Sequence, residues 1–457
     1  MKLTKKVLGV VVTALIGATA FAQKISFAQG PFNYYEAGNI VSNTRISTVG
    51  LYYTDVDNFM SVTRWNTVKP ETFFGHIGYE DELNVGFAKQ FKDFYIGTSF
   101  VGQLDGLTST TTNNDGDKTT TTETSVENAF TAAALFGFGN MAFKATAAWN
   151  GADITNTKNV DGDVIKEENF NLNINLENGF VTKLDDKPLE MSFLLGLDSS
   201  VDKKVDETAD SKTDLSTYTI NVGSSALWTF DTKEKYTQEG LLHLYTSWAI
   251  PSYSQDIGGV KSKGFGMYNN SIALIPEYRI TLNPTERLSM KAGATLPFTF
   301  DFEGDFDYSE TDGDKVYNNL RTENVDVEIQ PMISLGMIYQ VLPEKVNFNM
   351  GIEFATPSLT WETVTTKTRT DVTSKDVDAT STSTVYNYND YIAGVNFGSG
   401  FTVQLAKTVT FDCYWNILSN IFGDDFKSGL NEGNNNFWNT VNKIFVHNIG
   451  FSISAKF

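Results

Sequence analysis

The residues of this chain that could do chemistry are charged side chains at alternate positions in otherwise apolar stretches. Glu277 and Arg279 stand two residues apart, and Lys291 falls on the apparent hairpin partner. Asp326 and Glu328 repeat the spacing, and Glu353 follows one strand later. A spacing of two places both members of a pair on one face of a β-strand. On the inner face of a closed sheet such groups either line a wet lumen, where surplus carboxylate favours cations, or pair and brace the wall. Nothing resembles a catalytic set. The histidines are His76, His243 and His447. His243 shares a face with Tyr245 and Ser247, but four residues of strand put Ser247 ~13 Å away, too far for a base to activate a hydroxyl. Neither an enzyme nor a cofactor is expected. Asp115-Gly116-Asp117, Asp161-Gly162-Asp163 and Asp312-Gly313-Asp314 place three Asp-Gly pairs in polar stretches. Asp-Gly favours tight hairpin tips, and the spacing lacks the EF-hand ligand order, so no specific metal site is expected. Weak binding of Ca²⁺ by these carboxylates stays open as an alternative.

The elements that must position these groups are strands. Residues 169–176 set Phe170, Leu172, Ile174 and Leu176 on one face and Asn169, Asn171, Asn173 and Asn175 on the other. A helix would scatter both sets around its axis. An apolar face backed by an amide face suits either a soluble sheet over a core or a barrel wall between lipid and a wet lumen. Asn171 and Asn173 would then line that lumen.

The chain ends favour the barrel. Lys2, Lys5 and Lys6 precede an apolar run from Val7 to Ile16 and the small-residue ending Ala20-Phe21-Ala22, the order of a secretory signal peptide cleaved after Ala22. The last residues, FVHNIGFSISAKF, alternate from Phe445 to Phe457. An alternating final strand closing on phenylalanine resembles the C-terminal signature of Gram-negative outer-membrane β-barrel proteins. That resemblance implies recognition by the barrel-insertion machinery through the strand ending in Phe457.

Composition bounds the rest. No interior segment reaches 18 uninterrupted apolar residues, so no spanning helix is expected after the signal. With 41% hydrophobic residues and 20% charged, a membrane-spanning chain must be a barrel, because half of each strand is polar and only closure satisfies the backbone. The formal charge is −20, without a basic patch, which argues against nucleic acid as a partner. The single cysteine, Cys413, excludes an internal disulfide framework and reads as a small hydrophobe on an apolar face.

Residues 67–457 read as an all-β, antiparallel, up-and-down transmembrane barrel of about 16 strands, within a range of 14 to 18. Short joins are expected at 91–93, 139–140, 283–286, 342–345 and 406–407, with longer ones at 177–188 and 231–240. Polar loops are expected at 105–127, 150–168, 199–213, 251–267, 303–322, 360–384 and 420–440. Short turns on one rim and long loops on the other are the asymmetry of outer-membrane barrels. Trp149, Trp228, Trp248, Trp361 and Trp415 fall near strand ends, as an interfacial girdle would. Residues 23–66 form an N-terminal segment that could be a plug, a periplasmic arm or a further hairpin. Pro276, Pro297 and Pro331 fall inside strands, where proline lacks a ladder donor and marks a bulge or a kink of the wall.

These features resemble porins, and the resemblance implies passive, cation-leaning passage of small hydrophilic solutes through the outer membrane. Expected partners are outer-membrane lipid, the insertion machinery and those solutes; the oligomeric state is open. Two alternatives remain. One is a transporter of hydrophobic compounds resembling the long-chain fatty-acid channel family, which has a 14-stranded barrel, an N-terminal hatch and a kinked wall. The other is a surface adhesin or structural barrel with a plugged lumen.

Overall fold

The computed structural model describes residues 45, 47–67, 72–77, 82–105, 109–115, 118–124, 127–158, 163–206, 211–233, 235–257, 260–264, 268–304, 308–311, 314–317, 320–356, 359–368, 379–388, 394–416 and 449–456. The expected signal peptide, residues 23–44, His447 and Phe457 lie outside them.

Short connections link the first strands: β1 (Thr72–Ile77), β2 (Glu82–Gln90), β3 (Phe94–Asp105), the hairpin β4 (Ser109–Asp115) and β5 (Lys118–Thr124), and β6 (Glu127–Phe138). Five long strands follow: β7 (Met141–Lys158), β8 (Asp163–Leu184), β9 (Lys187–Asp206), β10 (Ser211–Lys233) and β11 (Tyr236–Ile257). Then come β12 (Val260–Gly264), β13 (Tyr268–Thr285), β14 (Leu288–Thr295), β15 (Phe298–Gly304), β16 (Tyr308–Thr311), β17 (Asp314–Tyr317), β18 (Leu320–Ile329) and β19 (Met332–Leu342). The chain ends in β20 (Val346–Ala355), β21 (Leu359–Thr368), β22 (Ala379–Tyr388), β23 (Gly394–Ala406), β24 (Val409–Asn416) and β25 (Ile449–Lys456).

All pairings are antiparallel, and β1 pairs with both β2 and β25, which closes the sheet. The ring has 16 positions, because β14–β15, β18–β19, β20–β21 and β22–β23 are each one wall strand in two pieces. The small strands β4, β5, β12, β16 and β17 extend the sheet beyond the ring on the long-loop side. Among the described residues, closure through β1 pairs the first strand on both sides, as a sheet in lipid requires.

The alternation sorts side chains as the sequence pattern requires. On β8, Phe170, Ile174 and Leu176 are exposed outward, while Asn175 is buried inward. Phe136, Phe138, Met141, Phe143, Leu195, Leu244 and Ile333 continue the outer apolar face around the wall. Trp149 and Trp248 stand exposed toward the long-loop end of this band. An unbroken apolar belt around a closed antiparallel barrel is stable only in lipid, so the chain is an outer-membrane barrel. No helix among the described residues is long and apolar enough to span a membrane.

Two expectations need correction. The joins read at 177–188 and 231–240 are mostly strand. The chain turns at Asp185-Asp186, both with positive φ, and again just before Tyr236. The charged residues around these turns hid the strand ends. The polar stretches read as loops also carry much strand, for example β4, β5, β16, β17 and β22. Threonine is β-branched and favours the extended backbone even where no apolar face is required. Thr363 and Thr365 pair their hydroxyls with Thr384 and Thr382 at 3.3 Å.

Candidate functional site

Residues 45–67 precede the wall and lie inside the barrel at its short-turn end. Gly50 N–H donates to the Arg45 carbonyl at 2.9 Å and Leu51 N–H to the Thr48 carbonyl at 3.1 Å, which makes a tight bend. Val49, at the corner, has φ 48° and Gly50 has φ 78°. Positive φ suits glycine but strains a β-branched residue by about 1–3 kcal/mol. One helical turn, α1 (Asp55–Asn58), follows. Asp57 accepts from Thr54 N–H at 2.6 Å and from the Thr54 hydroxyl at 3.0 Å, which caps it.

The wall makes room for this segment with inward-facing glycines. A Cβ on Gly351 of β20 would lie 2.7 Å from Thr48 Cα. One on Gly137 of β6 would lie 2.6 Å from the Trp65 ring, and one on Gly179 of β8 2.5 Å from the Val62 carbonyl oxygen. Real Cβ atoms do not approach so closely, so any larger residue there displaces the segment or the wall. Leu51 meets Gly293 of β14 and Gly336 of β19, Met60 meets Gly97 of β3, and Ser47 meets Gly400 of β23. The segment therefore touches both sides of the ring.

Its two halves are held differently. Val56, Phe59, Met60, Val62 and Trp65 form one buried cluster with Phe74, Ala88, Tyr95, Ala133, Leu135 and Ala142 of the wall. Phe59 stacks on Phe74 at 4.4 Å, Trp65 lies 5.3 Å from Tyr95, and the Tyr95 hydroxyl donates to the Phe59 carbonyl at 2.8 Å. Arg64 Nε pairs with Glu190 at 2.9 Å, and the Thr63 hydroxyl donates to the same carboxylate at 3.0 Å. The first half is polar: Arg45 lies over the Tyr53 ring at 4.8 Å, and the Tyr52 hydroxyl donates to Ser289 at 3.0 Å.

The charged residues singled out by spacing all face inward, and most have partners. Glu277 and Arg279 form a forked pair, with a second bond of 3.1 Å, and Arg279 is 1% exposed. Lys291 pairs with Glu239 of β11 at 3.1 Å. Glu353 accepts from the Ser334 hydroxyl at 3.1 Å on the adjoining strand. Asp326 accepts from Asn324 at 3.2 Å and stands opposite Asp301 and Glu362, while Glu328 lies opposite Thr299. Asn173 donates to Asp198, as does Asn221 at 2.6 Å, and Tyr245 donates to Asn221 at 2.7 Å. Asn171 lies opposite Asn150 and Ser200 in the same polar ladder. His243 is fully buried in the wall. Sequence reading missed Glu190 and Glu239, which sit in or beside the two misread joins. Their signal was the alternation continuing through Glu190, Ser192 and Leu194.

A break crosses the wall on the same side. Pairing of β13 with β14 ends at Glu277↔Thr295 and resumes with β15 at Leu274↔Phe298. On the next strands it ends at Thr295↔Met332 and resumes at Phe298↔Ile329, then ends at Met332↔Ala355 and resumes at Ile329↔Leu359. Pro276, Pro297 and Pro331 stand in this seam. Their carbonyls accept from Leu296 at 3.0 Å, Gln330 at 3.4 Å and Thr356 at 2.9 Å. The three prolines mark an aligned interruption of the ladder, which keeps its register across the first two strand pairs and shifts by one residue at the third.

Of the Asp-Gly-Asp tips, Asp115 and Asp314 end paired strands at hairpin connections, as a turn role requires; the tip residues themselves lie outside the described residues. No cluster of three metal-ligating side chains occurs among the described residues.

No family model and no curated protein matches the chain. Among solved structures it is similar to the ferric yersiniabactin uptake receptor FyuA from Yersinia pestis, at 9% identity and TM-score 0.36 over 77% of this chain and 69% of that chain. It is also similar to the copper transporter OprC, at 10% identity and TM-score 0.34 over 85% and 82% of the two chains. The alcaligin outer-membrane receptor FauA from Bordetella pertussis follows at 9% identity and TM-score 0.29 over 85% and 76%.

Proposed function

We propose that this protein is an outer-membrane transporter whose periplasmic mouth is gated by residues 45–67. A single observation carries the reading: the segment is inlaid against inward glycines on both sides of the ring, so a solute crosses only when it moves. A ring of this size otherwise leaves an aqueous channel. Above the segment the inner face is amide, hydroxyl and carboxylate, which suits small hydrophilic solutes and, through Asp301, Asp326, Glu328 and Glu362, cations. The freely open pore implied by porin resemblance gives way here to a gated one. The proline seam favours a second reading, release of an apolar compound sideways through the interrupted wall.

Conductance of the refolded mature chain in a planar bilayer tests both, beside a variant lacking residues 45–66. Rare openings in the full chain and sustained, cation-selective conductance in the deletion are expected. Silence from both, with folded barrel demonstrated, would remove hydrophilic passage. Uptake of a fluorescent fatty-acid probe by cells expressing the full chain would then favour the seam, and no uptake would leave the structural barrel.

A further inference from the structure

We infer that the two halves of the segment have different tasks: residues 56–67 are a fixed anchor, and residues 45–53 are the moving gate. This rests on the gated reading above and specifies its regulation. Residues 56–67 put five apolar side chains into one cluster with β1, β2, β3, β6 and β7, add the Arg64–Glu190 pair, and run on into the wall at β1. Residues 45–53 bury only two apolar side chains, Val49 and Leu51, beside Arg45, Ser47 and Thr48. Apolar burial holds a segment in proportion to its area, whereas polar contacts are largely replaced by water on release. The first half also carries the strained corner at Val49, so lifting it relieves a backbone cost that the seated state bears.

The wall beneath that half is itself compliant. Ser47, Thr48 and Leu51 rest on Gly400, Gly351, Gly336 and Gly293. These lie on β23, β20, β19 and β14, the strands whose ladder the seam interrupts a few residues further along. The anchored half rests instead on β1, β3, β6 and β8, and β3, β6, β7 and β8 pair without interruption across the belt. A strained flap with few apolar side chains in its burial, over an interrupted wall and hinged on a well-packed anchor, opens on one side only.

One reversible link in a Cys413→Ser background tests the flap. Leu51→Cys with Gly336→Cys joins it to the wall, where a Gly336 Cβ lies 3.4 Å from Leu51 Cβ, close to disulfide range. The link should abolish openings in planar bilayers, with recovery on reduction. Openings that persist in the linked protein overturn the division of labour, while the gated reading itself is judged by the deletion of residues 45–66. Hydrogen exchange on the unmodified chain decides independently of folding or conduction in the variants. The Gly50 and Leu51 amides should exchange at least tenfold faster than those of Phe59 and Trp65, and equal protection overturns the inference.

Discussion

Glu277 and Arg279 show what an inward charge is worth when it is dry. Their side chains are 3% and 2% exposed, so the guanidinium has no water to fall back on if the carboxylate is removed. Breaking a buried pair from one side costs about 3–5 kcal/mol. Glu277→Gln should lower the urea unfolding free energy in micelles by that order without changing the slope. Lys203 and Glu168 are the contrast: 3.5 Å apart but 43% and 58% exposed, on strand extensions near the outer rim. Lys203→Ala should cost under about 0.5 kcal/mol in the same assay. Equal losses would mean that the lumen around Arg279 is wet. At this scale the sequence revealed which residues face inward, because a period of two needs only one strand. It did not reveal partners. Lys291 finds Glu239 across two ladder steps, and Glu239 lay in a stretch whose charges read as a connection.

Strands were legible where one face meets lipid and the other water. The alternation of Phe170 to Leu176 specifies an outward set, and a one-residue slip would send all of it inward. Depth is a property of the neighbours. Leu172 pairs with Trp149 at the upper edge of the belt, whereas Leu176 pairs with Ala145 near its middle. Leu176→Arg should therefore reduce folding stability in bilayers by about 2–4 kcal/mol, and Leu172→Arg by no more than about 1 kcal/mol. The opposite order would shift the belt along the barrel. Two kinds of element escaped the pattern. The threonine-rich extensions have no apolar face to announce them; they become strands through ladders with neighbours far off in sequence, as β5 does with β7. The segment at 45–67 lacks regular alternation because it packs against the wall in bends and single helical turns, so its course is set by where glycines leave space. Those glycines looked like ordinary strand residues until the segment was seated on them.

Across the whole molecule, charge is distributed by height. Residues 301–328 alone carry ten acidic side chains against two basic ones, and the described strands among them, from β15 to β18, lie on the long-loop side of the seam. Asp301 faces Asp326 across one ladder step, and Asp326 faces Glu362 across the next, so like charges are neighbours on the inner wall. Such an arrangement persists where water and counter-ions fill the space, and it raises local cation concentration within a Debye length of about 8–10 Å. The buried pairs near the gate are compensated and add little to this field. Selectivity should thus belong to the outer vestibule and gating to the periplasmic mouth, which makes the two separable. In the variant lacking residues 45–66, a salt gradient should give a reversal potential of cation sign that shrinks as ionic strength rises. Adding Glu328→Lys should move that potential toward the anion side while leaving the sustained open level in place. An unchanged reversal potential would take Glu328 out of the conduction path, and a change in the fraction of time open would mean that vestibule and gate are coupled.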